Sequence, residues 1–257
     1  MAEVVIVSTP ADAGRLAAES IERRLAESER PVLGVATGST PLATYRALAE
    51  RGTDLAGATA FALDEYVGLP DGHPEGYRAV LEREFCEVTG FDSANLHVPD
   101  SDPARLETAG PRYEALIREA GGVDVQILGI GTDGHIGFNE PGSSLASRTR
   151  VKTLATQTRR DNARFFDSID DVPIHCVTQG LGTIRDAGHL ILLAFGPSKA
   201  NAIRSALEGP VSSSVPASLI QLHPSVTVLV DEAAAAKLEH AAYYRTAYAN
   251  KPAWQSL

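Results

Sequence analysis

The densest concentration of groups able to do chemistry is Gly129-Ile130-Gly131-Thr132-Asp133-Gly134-His135-Ile136-Gly137-Phe138-Asn139-Glu140-Pro141. Its glycines allow backbone angles closed to other residues. Asp133, His135 and Glu140 fall close together in it. A carboxylate beside an imidazole can orient the ring, fix its tautomer and set its pKa, so the three residues suit an acid–base relay. One imidazole with two carboxylates also suits a divalent metal, although no second histidine stands at helical spacing to complete a site. A solvated turn is the third reading of Asp-Gly-His, and the glycine density after a buried apolar run favours a functional loop. A second acid, Asp64, follows the run Ala58–Leu63 and begins Asp64-Glu65-Tyr66-Val67-Gly68-Leu69-Pro70. A carboxylate at a strand tip can be partly desolvated, which raises its pKa and makes it a usable base; the alternative is an acid that merely caps the next turn.

A third segment, Thr37-Gly38-Ser39-Thr40-Pro41, lies between an apolar run and a helical one. Gly38 permits close backbone approach, Ser39 and Thr40 offer hydroxyls, and the following helix offers free N–H groups and the positive end of its dipole. Thr37, Gly38, Ser39 and Thr40 therefore form a candidate phosphate cradle, or else an ordinary helix-opening turn. The Gly-Lys-Ser/Thr ending of a Walker loop is absent. Two cations could add charge to such a cradle: Lys199, after Gly196-Pro197-Ser198, and Arg164, in Asp161-Asn162-Ala163-Arg164-Phe165-Phe166.

These segments need a frame, and the sequence supplies one. The runs Val4–Val7, Pro31–Ala36, Ala58–Leu63, Val123–Leu128, Leu190–Phe195 and Val226–Val230 are continuously apolar. Helical stretches separate them, including one opened by Thr9-Pro10-Ala11-Asp12 and others at Leu42–Arg51, Ala104–Glu119 and Ser198–Leu207. Strands buried on both faces predict a three-layer α/β fold: a mostly parallel sheet with helices on both sides, modified Rossmann-like. In such sheets ligands sit beyond the carboxyl ends of the strands, where all three chemical segments fall. Residues 1–257 read as a single domain, with a polar, charge-rich mobile lid around 156–171.

Composition narrows the function. The chain has 257 residues, 44% of them hydrophobic, enough for a full core. With 33 acidic residues against 23 basic and a net charge of -10, it is not built for nucleic acid or an anionic membrane. No apolar run approaches the ~20 residues of a membrane span, and the N-terminus lacks the pattern of a secretory signal. Cys86 and Cys176 match no metal or redox spacing, which suits free thiols in a reducing, cytoplasmic compartment.

Taken together, Ala-Thr-Gly-Ser-Thr-Pro (36–41), Leu-Asp-Glu-Tyr-Val-Gly-Leu-Pro (63–70), the 129–141 loop, Ser-Arg-Thr-Arg-Val-Lys-Thr-Leu (147–154) and Ile-Gln-Leu-His-Pro (220–224) resemble the glucosamine-6-phosphate deaminase family. The resemblance implies conversion of glucosamine 6-phosphate and water into fructose 6-phosphate and ammonia, without a cofactor or metal. It implies that Asp64 moves a proton between C2 and C1. It implies that His135 opens the sugar ring, tuned by Asp133 and Glu140, and that Thr37, Gly38, Ser39, Thr40, Arg164 and Lys199 hold the phosphate. Some members are homo-oligomers activated by N-acetylglucosamine 6-phosphate at a subunit interface; Ser143, Ser144, Arg150, Lys152 and Thr153 match those positions. His240–Leu257 departs from the pattern of the regulated hexameric enzymes. A 6-phosphogluconolactonase shares the Gly-x-Gly-x-Asp-Gly-His loop but not its continuation. A sugar-phosphate-sensing module would require a partner domain for which the chain leaves no room.

Overall fold

The computed structural model describes residues 2–252 and 254–257. In chain order the elements are β1 (Ala2–Val7), α1 (Pro10–Leu25), β2 (Val32–Val35), α2 (Leu42–Arg51), β3 (Thr59–Ala62), β4 (Asp64–Tyr66), α3 (Tyr77–Leu81), α4 (Glu87–Thr89), β5 (Leu96–His97), α5 (Leu106–Ala120), β6 (Val125–Leu128) and β7 (Arg150–Thr153). Then follow α6 (Thr156–Asn162), β8 (His175–Thr178), α7 (Leu181–Arg185), β9 (His189–Ala194), α8 (Ala200–Glu208), β10 (Val226–Asp231), α9 (Glu232–Ala235) and α10 (Ala241–Ala249). Seven strands form one parallel sheet in the order β1-β10-β9-β6-β2-β3-β5. Every residue of β2, β6 and β9 is buried, which is what continuous apolar runs require when helices cover both faces.

Local signals explain several boundaries. Thr9 caps α1, its hydroxyl accepting from the Asp12 N–H at 3.1 Å. Tyr45 on α2 reaches back to the end of β2: its hydroxyl donates to the Ala36 carbonyl at 2.7 Å and accepts from the Ala36 N–H at 3.0 Å. The loop that follows therefore leaves the sheet from a fixed point.

One expectation needs correction. The run Ala58–Leu63 does not simply end in a loop at Asp64. Its strand stops at Ala62, and Asp64–Tyr66 forms a separate strand in a second, antiparallel sheet of order β4-β8-β7. The junction is held by Gln179, whose backbone N–H donates to Leu63 O at 2.7 Å and whose side chain donates to Ala62 O at 2.9 Å. The small sheet escaped the sequence reading because β7 alternates half-buried and exposed residues, and its strands are short.

The small sheet is tied to α5 by Glu114. Its carboxylate accepts from Thr149 N–H at 2.9 Å, from the Thr149 and Thr183 hydroxyls, each at 2.5 Å, and from Arg148 Nε at 2.9 Å. Gly110, one turn earlier, permits the approach, since a Cβ there would meet Thr149 O at 2.2 Å. Burial works against the charge of Glu114, but these donors prevail and hold its pKa below the usual range. Glu114→Ala is expected to cost about 2–3 kcal/mol at neutral pH by orphaning them. Because the folded pKa is depressed, that contribution is present above the unfolded carboxylate pKa and fades as pH falls through the folded value. Urea titrations of both proteins at pH 7 and pH 3.5 check this, with a smaller gap expected at the lower pH.

Candidate active site

A cavity of about 410 Å³ opens across the carboxyl ends of β9, β6, β2 and β3. Its wall includes Thr37, Gly38, Ser39, Thr40, Asp64, His135, Arg164 and Lys199, so the structure brings those sequence-predicted residues together. Asp133 and Glu140 do not line it; they stand behind His135.

The cradle follows β2 directly. Gly38 has φ +89°, a left-handed conformation that disfavours side chains, and a Cβ there would point into open space. No side chain caps the N-terminus of α2; Thr44 N–H donates to Pro41 O at 2.8 Å, and the Leu42 and Ala43 N–H groups and the helix dipole remain available to an anion. Lys199 enters from the loop after β9, its ammonium donating to Ile130 O at 2.7 Å. Burial pulls its pKa below the ordinary lysine value. Arg164 lies in a short 3-10 turn after α6, its guanidinium 4.6 Å above the Phe165 ring.

The loop after β6 is folded around its glycines. Gly131 lies under the His135 ring, where a Cβ would come within 2.2 Å of Cε1, and its N–H donates to His135 O at 2.9 Å. The end of the loop is fixed to β8: Phe138 N–H donates to Thr178 Oγ1 at 3.1 Å, and the Asn139 amide donates to Gln179 O at 2.8 Å. His135 Nδ1 lies 2.7 Å from Asp133 Oδ1 and 3.6 Å from Glu140 Oε2. Neither approach is a straight hydrogen bond, so the ring nitrogen sits in a fork between two carboxylates. Burial pulls the imidazole pKa down, but Asp133 and Glu140 outweigh it and hold it up at about 9. In return, the His135 contact depresses Asp133. At neutral pH the ring is therefore a cation, able to donate a proton into the cavity.

These three residues also approach one another as metal ligands would. The 2.7 Å separation of Nδ1 and Oδ1 is a contact between the groups themselves. Ligands on one ion at ~2.0–2.1 Å each would stand roughly 3 Å apart.

Asp64 is only 7% exposed. Burial first, and the neighbouring Glu65 second, raise its pKa to about 8, although His135 and the Phe138 N–H act against them. A carboxyl group of that pKa can accept and return a proton near neutral pH. An imidazolium and a buried carboxyl thus share one cavity with an anion cradle.

Other residues of the wall were not singled out from sequence. Tyr77 on α3 lines the cavity and stacks on Phe138 with ring centroids 5.9 Å apart. Thr158 donates to Glu140 Oε1 at 2.6 Å, and Asn162 donates to the Tyr66 hydroxyl at 2.8 Å. Through these bonds α6 is anchored to the loop behind His135 and to β4. The 12-residue offset of Tyr77 from Glu65, bridged by a hydrogen bond from the Tyr77 N–H to the Glu65 carboxylate, carries no sequence signature.

The positions matched to a regulatory site lie elsewhere. Arg150, Lys152 and Thr153 are on β7, an edge strand of the small sheet. Arg150 donates to Asn139 Oδ1 at 2.9 Å, linking that strand to the 129–141 loop. Ser144 is exposed, whereas Ser143 is buried with its hydroxyl unpartnered.

The parallel sheet, with a cavity holding a buried carboxyl and an imidazole at its carboxyl edge, defines an α/β protein with the site of an enzyme. More narrowly, the chain belongs to the family of glucosamine-6-phosphate isomerases and 6-phosphogluconolactonases, whose model matches residues 8–229. It is 57% identical to the glucosamine-6-phosphate deaminase of Pseudarthrobacter chlorophenolicus over 99% of this chain and 100% of that one. It is 54% identical to the same-named protein of Bifidobacterium longum, with all of both chains covered. Among solved structures, a monomeric glucosamine-6-phosphate deaminase superposes with a TM-score of 0.87 at 40% identity, over 91% of this chain and 99% of that one. The 6-phosphogluconolactonase of Trypanosoma brucei shares the fold with a TM-score of 0.76 over 93% and 99%, but at 18% identity. Among the described residues, no helix is long and apolar enough to cross a membrane.

Proposed function

We propose that this chain converts glucosamine 6-phosphate and water into fructose 6-phosphate and ammonia. The observation that carries the reading is one cavity holding an anion cradle, a buried carboxyl and an imidazolium, in a chain at 57% identity to a glucosamine-6-phosphate deaminase. In this reading the substrate phosphate lies against Thr37–Thr40, Lys199 and Arg164. His135 protonates the ring oxygen as the hydroxyl on C1 gives its proton to solvent, which opens the ring and exposes an aldehyde. Asp64 takes the proton from C2, now acidified by the carbonyl, and delivers it to C1 while a proton passes from the C2 ammonium to the C1 oxygen, leaving a hydroxyl on C1 and a protonated imine at C2. Water then hydrolyses the imine left at C2, and ammonia departs. Asp133 and Glu140 keep His135 charged and oriented.

Release of ammonia from glucosamine 6-phosphate, followed in a coupled assay, tests the assignment; hydrolysis of 6-phosphogluconolactone without ammonia release would overturn it. The reading needs no metal, so the rate is expected to survive a chelator. Lys199→Ala is expected to raise KM by about 10- to 100-fold, the value of one charge-assisted contact, with a smaller change in kcat. Steady-state kinetics of that variant check it.

The proposal includes a cytoplasmic setting, supported by the two free, buried cysteines. It also includes a regulatory site for N-acetylglucosamine 6-phosphate at Ser143, Ser144, Arg150, Lys152 and Thr153 in a homo-oligomer. The Arg150–Asn139 bond favours it, because it connects β7 to the loop that bears His135. A velocity curve unchanged by that sugar phosphate would remove the regulatory part alone.

A further inference from the structure

Alternation along β4 sends neighbouring side chains to opposite sides. Asp64 and Tyr66 face the cavity, and Glu65 between them faces a separate cleft beside α3. Glu65 is nevertheless buried, at 6% exposure. Its Oε1 accepts from the Tyr66 and Tyr77 N–H groups, both at 2.8 Å, and its Oε2 accepts from Arg78 N–H at 2.9 Å. Tyr77 and Arg78 open α3, which has no N-cap side chain of its own from the preceding Gly76. The carboxylate 12 residues earlier performs that task from another element. All three partners are donors, so they favour the carboxylate over the carboxylic acid.

The same clamp fixes the cavity wall. Tyr77 is placed so that its ring stacks on Phe138 and its hydroxyl donates to the Tyr66 hydroxyl at 3.3 Å. Tyr66 is in turn the acceptor for Asn162.

We propose that Glu65 is a positioning residue for the proton transfer assigned above: it clamps α3 to the strand bearing Asp64 and keeps a negative charge directly behind that base. The inference rests on the deaminase reading. The neighbouring charge helps to hold Asp64 above the ordinary carboxylate range, second to burial. Other titratable groups around the pair are His135 on the loop, Tyr66 on the same strand, Tyr77 and Arg78 on α3, Tyr113 on α5 and Cys176 on β8. Burial raises the pKa of Glu65, and the Tyr77, Arg78 and Tyr66 N–H groups, with the Arg78 charge after them, offset part of that rise.

The test compares the wild-type chain with Glu65→Gln and Glu65→Asp by ammonia release across pH. Glutamine removes the charge and sets an NH2 against one of the donors; aspartate keeps the charge but withdraws it by one methylene. Both are expected to lower kcat at least about tenfold through misplacement, with KM changed less than about threefold because the cradle is untouched. Removing a negative neighbour favours ionised Asp64, so the acidic limb of kcat/KM in Glu65→Gln is expected at lower pH by about half a unit or more. In Glu65→Asp that limb stays closer to the wild-type position.

A Glu65→Gln protein with wild-type kcat, or with only KM altered, overturns the inference. So does a loss of kcat whose acidic limb coincides with that of wild type, since a purely structural role would do that. Should Glu65→Gln not fold, Glu65→Asp decides: a tenfold loss of kcat at unchanged KM supports the clamp, and wild-type kcat refutes it. Wild-type protein that releases no ammonia would instead defeat the deaminase reading itself.

Discussion

Asp64→Asn is expected to lower kcat for ammonia release by about 10³-fold, within the range for loss of a positioned acid–base group. KM should change little, because the phosphate cradle is built from other elements. The amide is close in size to the acid and cannot shuttle the proton. A second consequence runs the opposite way. The folded pKa of Asp64, about 8, lies well above the ordinary aspartate value of 3.8. Its folding contribution is therefore fully present below the unfolded pKa and lost as pH rises through 8, as ionisation is forced in a buried place. At about 1.4 kcal/mol per pKa unit, the loss amounts to a few kcal/mol above pH 8. Asparagine carries no such penalty. Thermal melts should show Asp64→Asn more stable than wild type, with the advantage larger at pH 8.5 than at pH 5. An active, less stable variant would contradict both the role of this residue and its energetics.

The other large effect is expected from His135→Gln, a loss of about 10²–10³ in kcat. Glutamine can still donate a hydrogen bond but cannot carry the proton, and it leaves Asp133 and Glu140 facing each other without a cation. The pH profile separates this from general damage. In wild type, kcat/KM should rise as Asp64 ionises near pH 8 and fall as His135 deprotonates near pH 9, giving a narrow bell. In the variant the alkaline limb should disappear. Its persistence would mean that another group supplies the proton.

The large sheet and most of its helices were legible because burial on both faces leaves an unbroken apolar run. The strands β2, β6, β9 and β10 lie within a residue or two of those runs. The chemical loops were legible for a related reason: glycines and titratable groups concentrated where apolar runs stop. What was not legible depended on contacts between distant segments. β7 is not among the apolar runs because an exposed edge strand has no continuous core face. Glu65 drew no role of its own from the sequence, and its three N–H partners lie partly on a helix that no periodic pattern announces, since Tyr77–Leu81 spans only five residues. The division of labour among Asp133, His135 and Glu140 was implied by the family resemblance, whereas the residue types and their spacing alone left it open. Sequence places three acid–base groups close together, but only the fold puts the imidazole at the cavity and both carboxylates behind it.

The break between Ala62 and Asp64 separates holding from reacting. The anion cradle and the imidazole loop spring from strands of the large sheet, whereas the base rides on the small one. In the proposed mechanism the Thr37–Thr40 part of the phosphate grip and the base therefore belong to different sheets of one chain, while Arg164, in the connection between β7 and β8, brings the small sheet into the grip as well.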